Sequence, residues 1–238
     1  MTTQNPHRLC APVVLTSIAL ALLTGCASGP TRDPRDPIEP FNRGVSEFND
    51  VVDKAVLKPV ATVYAEVTPD PVRTAVGNFF GNLRDVWTVI NATVQLRGED
   101  AATSFLRVGV NTAFGFGGLL DIATEMRLYR VTADFGQSLG FWGVPPGPYV
   151  VLPILGPSTV RDTVGIGVET RGDMVQSIGD VPTRNSLYAL RAVETRAGLL
   201  RAGAVLDEAA LDKYTFTREV FLQRRQSVID AQRNRDDE

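Results

Sequence analysis

The sequence predicts a mainly α-helical domain with one short apolar β-hairpin, brought to a membrane by an N-terminal leader. Three observations predict it. After residue 40, apolar residues recur every three or four positions through most of the chain, the period of a helix with one apolar face. Between Phe141 and Pro153 that period lapses, and aromatic and β-branched residues flank a Pro/Gly cluster. At the N-terminus, the apolar run from Ala11 to Leu23 is too short to cross a bilayer, which takes about 20 residues.

That run follows Arg8 and suits the apolar region of a secretory leader. It ends in Leu23-Thr24-Gly25-Cys26, which reads as a lipobox: apolar, small, small, then the cysteine that receives lipid. The alternative is an ordinary signal peptide with a chance cysteine at its end. Residues 1–25 are thus expected to be removed and Cys26 to be acylated. Each buried CH₂ contributes about 0.8 kcal/mol, so a cysteine with two or three chains is a stable anchor. Ala27 and Ser28 stand where an aspartate would signal retention at the inner membrane, which favours the outer membrane. Residues 26–40, rich in Ser, Pro and charge, read as a flexible tether. The helical domain is expected over 41–232, with a charged tail at 233–238.

Within the domain, Val45, Phe48, Val51, Val52 and Val56 mark a first helix from Phe41, which Pro59 should end or kink near Leu57. A short apolar segment continues from Val60 to Val67. Asp70 is the expected N-cap of a long helix with Pro71 at its first position, where a missing N–H costs nothing. Its stripe is Val72, Val76, Phe79, Leu83, Val86, Ile90 and Val94, widened by Phe80 and Trp87, and Gly98 should end it. Another helix is expected from Asp100 through Phe105, Leu106 and Val110. Glycines then interrupt an apolar run at 114–122. The predicted hairpin turns at Pro145-Pro146-Gly147-Pro148, its prolines confining it to an edge or a small ribbon. Ser158 is the expected cap of a helix at 159–171, and helices follow at 184–202 and 207–232. The last should fray into solvent from Gln223.

Composition removes several function classes. The chain carries a formal net charge of −3, and losing Arg8 with the leader makes the rest one unit more negative. A mildly acidic chain without a basic stripe is not expected to bind nucleic acid. Cys10 falls in the leader and Cys26 is the lipid site, so no thiol nucleophile or disulfide is expected. The single histidine, His7, is also in the leader. His/Cys metal sites and Ser-His-Asp catalysis therefore lack their ligands and base, and no metal, cofactor or enzymatic activity is expected. Gly136-Gln137-Ser138-Leu139-Gly140 spells the esterase G-x-S-x-G, which needs a preceding strand, a following helix and a histidine. The alternative is a small-residue turn that lets segments pack closely. The glycines at 115–118 and 165–167 do not complete a dinucleotide-binding fingerprint, and Asn91-Ala92-Thr93 is a glycosylation sequon by spelling only. Arg84-Asp85 and Arg161-Asp162 read as charges on solvated helix faces, where a pair contributes about 0–1 kcal/mol. The apolar content exceeds what a core needs, and such surfaces mark membrane or lipid contact when exposed.

Particular motifs add a resemblance. Asp36-Pro37-Ile38-Glu39-Pro40-Phe41-Asn42-Arg43, Phe48-Asn49, Leu57-Lys58-Pro59-Val60-Ala61 and Asn78-Phe79-Phe80-Gly81-Asn82-Leu83 come first. Phe135-Gly136-Gln137-Ser138-Leu139-Gly140, Gly147-Pro148-Tyr149-Val150-Val151-Leu152-Pro153 and Gly156-Pro157-Ser158-Thr159-Val160-Arg161-Asp162 follow. In this order and spacing, over roughly 33–230, the chain resembles the MlaA/VacJ family of outer-membrane lipoproteins. The resemblance implies a ring-like bundle of amphipathic helices embedded in the inner leaflet of the outer membrane. It implies removal of mislocalised phospholipid from the outer leaflet, delivery to a soluble periplasmic carrier of the MlaC type, association with trimeric porins, and maintenance of lipid asymmetry. On that reading Phe41, Asn42, Phe48, Asn49, Asn78, Phe79, Asn82 and Leu83 are candidates for the lipid path, the asparagines supplying neutral polar groups beside apolar ones. Their alternative role is capping or packing. Trp142, Gly143, Gly147 and Tyr149 are candidates for a gate at the hairpin. Two other functions compete: a structural lipoprotein bracing porins or the envelope, and a lipid hydrolase acting through Ser138.

Overall fold

The computed structural model describes residues 33–234, so the leader, Cys26 and the end of the tail lie outside the described residues. Ten α-helices and one two-stranded sheet follow among them. Helix α1 (Glu39–Val52) runs through a π-helical turn (Asp53–Leu57) into α2 (Lys58–Val67). Pro59 has no N–H to give the ladder, and the Lys58 N–H reaches back five residues to the Asp53 carbonyl. The helix is thereby reregistered rather than ended. Helix α3 (Asp70–Val94) is the longest, and its cap is Pro69, so Asp70 and Pro71 are already helical. It ends before Gly98, which instead opens α4 (Gly98–Phe114). Two short helices follow, α5 (Ile122–Glu125) and α6 (Phe135–Phe141), capped by Asp121 and Asp134.

The hairpin is real but displaced. Strands β1 (Tyr149–Leu152) and β2 (Gly156–Thr159) pair antiparallel, Tyr149 with Thr159 and Leu152 with Gly156. Its turn is Pro153-Ile154-Leu155, with Ile154 at φ +66° and Gly156 at φ +83°. The Pro/Gly cluster at 145–148, expected to be the turn, leads into β1, because prolines cannot donate to a ladder and are admitted only where a strand begins. Thr159, not Ser158, caps α7 (Val160–Arg171), accepting the Asp162 N–H. Helices α8 (Val181–Gly198), α9 (Leu200–Ala209) and α10 (Lys213–Asn234) complete the chain.

The helices up to α4, and α7, form close to where the apolar period put them, while the two expected at 184–202 and 207–232 are divided into three, Val181–Gly198, Leu200–Ala209 and Lys213–Asn234; many of the stripes point outward. On α1 the buried residue is Asn42, while Phe41 and Phe48 are exposed. On α3 the buried set is Phe80, Gly81, Asn82, Asp85, Thr88, Asn91 and Ala92, and Val72, Ile90 and Val94 are exposed. On α4 the buried residues are Ser104, Arg107 and Asn111, with Phe105 and Phe114 outside. Among the described residues, buried polar and charged side chains outnumber buried apolar ones nearly two to one. The one cluster of buried apolar side chains, Tyr149, Val151 and Tyr214, sits under the hairpin with Val45, Phe221 and Leu222 against it.

Polar contacts hold the elements together. Arg107, fully buried on α4, reaches Asp85 on α3 (3.3 Å), Asp121 (3.0 Å), Thr124 (3.1 Å) and the Leu128 carbonyl, and Arg130 adds a second cation at Asp85. Arg84-Asp85 and Arg161-Asp162 are therefore corrected in part: Asp85, Arg161 and Asp162 are interior, because each has a charged partner from another segment or its neighbour. The polar end of α10 is not frayed either, since Ile229 and Gln232 are buried against α6. Nor is the segment from Asp33 a loose tether. Asp36 is fully buried, accepts from Asn42 (2.8 Å), Arg218 (3.0 Å) and the Tyr214 hydroxyl, and ties the N-terminal end of the domain to α10.

Candidate functional site

The GQSLG segment folds as α6 and packs on α7 across glycines. A Cβ added at Gly165 would lie 2.6 Å from the Gly136 nitrogen, and one at Gly136 would lie 2.5 Å from the Asp162 carboxylate. The close packing expected of these small residues is present, in a helix rather than a turn. Ser138 is buried, donates to Asn91 Oδ1 (2.9 Å) and accepts from Gln95 Nε2 (2.8 Å). No strand precedes it among the described residues, and the segment directly before α6 is irregular, so the nucleophile-elbow geometry is not formed there. Its hydroxyl fastens α6 to α3.

Helices α3, α7, α8 and α10, with Gln137 of α6 and the segment before it, line an open cavity of about 540 Å³. One part of its wall is apolar: Phe80, Leu83 and Trp87 from α3, Ile166 from α7, Met174 after it, and Phe221 and Val228 from α10. The other part is ionic. Arg191 pairs with Asp173 and lies 5.0 Å over the Phe80 ring. Arg225 makes two-pronged contacts to Asp134 and Asp162, and those carboxylates hold its guanidinium firmly charged against the cost of burial. Glu169 accepts from the Phe135 N–H (2.6 Å) and Asn91 (3.3 Å). Burial still pushes its carboxyl above the usual range, and nearby Asp134 adds to the shift. Arg84 and Arg224 line the same space, are exposed, and make no ion pair with the described residues. The cavity wall thus mixes aromatic and aliphatic side chains with four arginines and three carboxylates.

A second cavity, of about 870 Å³, lies along a different face of α10 and is lined by Arg35, Pro146, Arg161, Glu219 and Gln226 among others. Arg225 belongs to the walls of both.

Of the lipid-path candidates, only Leu83 lines the first cavity. Phe79 stands edge-on to Phe80 at 5.3 Å, and Phe41 and Phe48 look outward. The four asparagines are clamps. Asn42 donates to the Tyr149 carbonyl (3.0 Å) and accepts the Val151 N–H (2.9 Å), so its amide pairs with the free edge of β1 as a neighbouring strand would. Asn49 repeats the device two turns later, donating to the Leu152 carbonyl (2.9 Å) and accepting the Ile154 N–H (2.7 Å). Asn78 donates to the Leu119 carbonyl (3.2 Å), fixing the glycine-rich loop to α3, and Asn82 donates to Thr112 Oγ1 (3.0 Å), fixing α4 to it. Of the hairpin candidates, Tyr149 is buried in the apolar cluster. Trp142 is exposed and donates its indole N–H to the Val94 carbonyl (3.1 Å). Gly143 (φ +90°) and Gly147 (φ +67°) hold left-handed backbone in the segment before β1. Cys26 lies outside the described residues. Glu169, Arg191 and Arg225 were not singled out from the sequence. Their signal, charge on one side of an otherwise apolar helix, is the same signal a solvated face gives.

The comparisons with known proteins agree with one another. The family model described as MlaA lipoprotein matches residues 34–228. The "Intermembrane phospholipid transport system lipoprotein MlaA" of Escherichia coli (strain K12) is 34% identical over 91% of this chain and 89% of its own length. The protein of that name from Haemophilus influenzae is 32% identical over 91% of this chain and 90% of its own length. A solved structure from work on the structural basis for maintenance of bacterial outer membrane lipid asymmetry superposes with a TM-score of 0.72 at 33% identity, covering 83% of this chain and 100% of that one. With the whole helical domain matched and a third of its residues shared with these relatives, this chain belongs to the MlaA lipoprotein family.

Proposed function

We propose that this chain is the lipoprotein component of an intermembrane phospholipid transport system that maintains outer-membrane lipid asymmetry, and that the cavity walled by α3, α7, α8 and α10 is part of the lipid's route. The observation that carries this reading is the inverted distribution of side chains: large apolar residues outside, ion pairs and amides inside, around a cavity lined by both apolar and ionic side chains. A phospholipid needs both, since a head group stranded in an apolar passage loses its hydration without replacement.

No helix among the described residues is long and apolar enough to cross a membrane. Amphipathic helices that expose Phe and Val instead lie within one leaflet, their apolar faces in the acyl region. The loop carrying Phe114 and Phe116 and the hairpin tip carrying Ile154 and Leu155 are exposed apolar points suited to the same medium. On this reading lipid on Cys26 holds the chain at the periplasmic leaflet of the outer membrane. Phe41 and Phe48 meet surrounding lipid, Leu83 meets cargo, and the asparagines position the walls. The segment with Trp142, Gly143 and Gly147 is the gate, while Tyr149 is its fixed base. A trimeric porin packs on the outward apolar faces, and a soluble carrier of the MlaC type receives lipid on the aqueous side. With Ser138 committed to Asn91 and Gln95, the chain moves lipid without cleaving it.

The test is complementation. In cells lacking their own relative, this chain should lower the phospholipid exposed on the outer leaflet, measured by its accessibility to added phospholipase. Leu83→Asp, which sets a carboxylate in the apolar wall, should abolish the effect while the protein stays in the membrane fraction. If the wild-type chain changes nothing, the transport reading fails and a bracing role gains. If Leu83→Asp clears lipid normally, the cavity is not the route.

A further inference from the structure

Arg225 occupies an unusual position. It is the residue of α10 that lines both the first cavity and the groove along the other face of the helix. It is held there by two carboxylates from different elements. Asp162, on α7, is buried and keeps Arg161 as a second partner (3.0 Å). Asp134 is half-exposed and caps α6, accepting the Gln137 backbone N–H (2.8 Å) and its side-chain amide (2.8 Å). Each carboxylate therefore retains donors if Arg225 turns away. The glycine at 136 leaves room beside the guanidinium, since a Cβ there would come within 2.7 Å of it.

We propose that Arg225 is a phosphate-binding partition between the two cavities, and that a phospholipid head group passes from one to the other by displacing Asp134 from the guanidinium. This rests on the reading of the first cavity as a lipid route. A phosphodiester presents two non-bridging oxygens sharing one negative charge, the same acceptor pair a carboxylate presents, so the guanidinium fork takes either. While the fork holds Asp134 the partition is closed and electrically balanced. A head-group phosphate that replaces Asp134 keeps the guanidinium paired, while the displaced carboxylate, half-exposed and still bonded to Gln137, has its charge taken up by water. A neutral lipid without phosphate has nothing to exchange, so the partition selects for phospholipid over diacylglycerol.

The test uses the full chain in its native membrane, with a photoreactive phenylalanine analogue at Leu83 in the first cavity or at Gln226 in the groove, and lipids labelled with radioactive phosphate. Wild-type protein should label at both positions. Arg225→Lys keeps the charge and loses the fork, and labelling at Gln226 should fall about tenfold, the effect of losing one charge-assisted hydrogen bond, while labelling at Leu83 persists. Asp134→Asn keeps the cap on α6 and removes the competitor, so labelling at Gln226 should rise. This second variant carries the test if Arg225→Lys fails to accumulate. Absence of label at Leu83 in the wild type would overturn the lipid route itself. Label at Leu83 with none at Gln226, or label at Gln226 indifferent to both substitutions, overturns the partition alone.

Discussion

Asn42 separates a structural asparagine from one that greets lipid. It is fully buried and spends its amide on three groups: the Asp36 carboxylate, the Tyr149 carbonyl and the Val151 N–H. Removing it leaves two backbone groups of β1 without a partner. Each buried polar group left unsatisfied costs about 1–3 kcal/mol, so Asn42→Leu, which fills the space and admits no water, should lose about 3–5 kcal/mol. Asn42→Ala opens room for a water that restores part of the bonding, and about 2 kcal/mol is expected. Asn42→Asp removes both donors and sets a second carboxylate beside Asp36, making it the worst of the three. Leucine ranking below alanine is the reverse of what a hydrophobicity scale gives. Denaturant unfolding in detergent micelles, with proteolysis at the hairpin tip as a local probe, measures it. If Asn42→Leu is as stable as the wild type and fails only in lipid clearance, Asn42 is a path residue and the clamp argument is wrong.

Gly143 stands at φ +90°, so proline, fixed near −65°, would break the segment rather than test a gate, and alanine is the informative substitution. Gly143→Ala should cost about 1 kcal/mol of stability and slow lipid clearance if this segment moves, and a clearance rate equal to wild type removes it as a hinge. Phe116, at 78% exposure beside the glycines, should contribute about 2 kcal/mol to membrane association once the lipid anchor is removed, so Phe116→Ser in a Cys26→Ser background should release protein into the soluble fraction. Burial opposes ionisation of Asp121, yet hydrogen bonds from Thr124, Arg107 and Asn111 hold its carboxyl at about 2. A depressed carboxyl adds stability above its unfolded value near 3.8 and loses it as pH falls towards 2, so up to about 2 kcal/mol should vanish across that window and Asp121→Asn should flatten the acid limb of the stability curve. Arg107→Met leaves Asp121 without its guanidinium and Asp85 with Arg130 alone, which should cost about 3–5 kcal/mol, read as loss of protease resistance at the 114–121 loop.

The helices were legible because period alone marks them: the stripe over Val72 to Val94 needs no tertiary information, and α3 follows it. Which way a stripe faces was not legible. Periodicity reports that one face is apolar, and the same pattern fits a core in water or a lipid-facing surface around polar interior contacts. The same ambiguity hid Arg225 and Asp162, since a charge on a helix announces its burial only through a partner distant in sequence, here Asp134 meeting Arg225 from another segment. The hairpin was placed a few residues early because Pro145-Pro146-Gly147-Pro148 carries the stronger turn chemistry, whereas the actual turn at Ile154 relies on a non-glycine residue at positive φ. Asn49, 105 residues earlier in the chain, holds the backbone of that turn through the Ile154 N–H, a contact invisible to local sequence reasoning.

Placement in the acyl region, as proposed above, gives the polar interior a physical reason. In water, burial of apolar surface drives collapse and a unique core follows from packing. In the acyl region the surroundings are as apolar as leucine, so an apolar interior gains little over exposure, and association must come from packing and from groups that lipid cannot satisfy. Arg107 with Asp85 and Asp121, Asp36 with Arg218 and Tyr214, and Arg225 with Asp134 and Asp162 are such groups, and each joins segments far apart in the chain. The Asp36 contact has a further consequence. It fixes the chain within about ten residues of Cys26, and at about 3.5 Å per extended residue the anchor reaches no more than about 35 Å from that point. On the proposed reading, in which Cys26 carries lipid, that short reach keeps the anchor and the exposed apolar faces of the helices close to one membrane surface, so the anchor limits how far the cavity can lie from the bilayer.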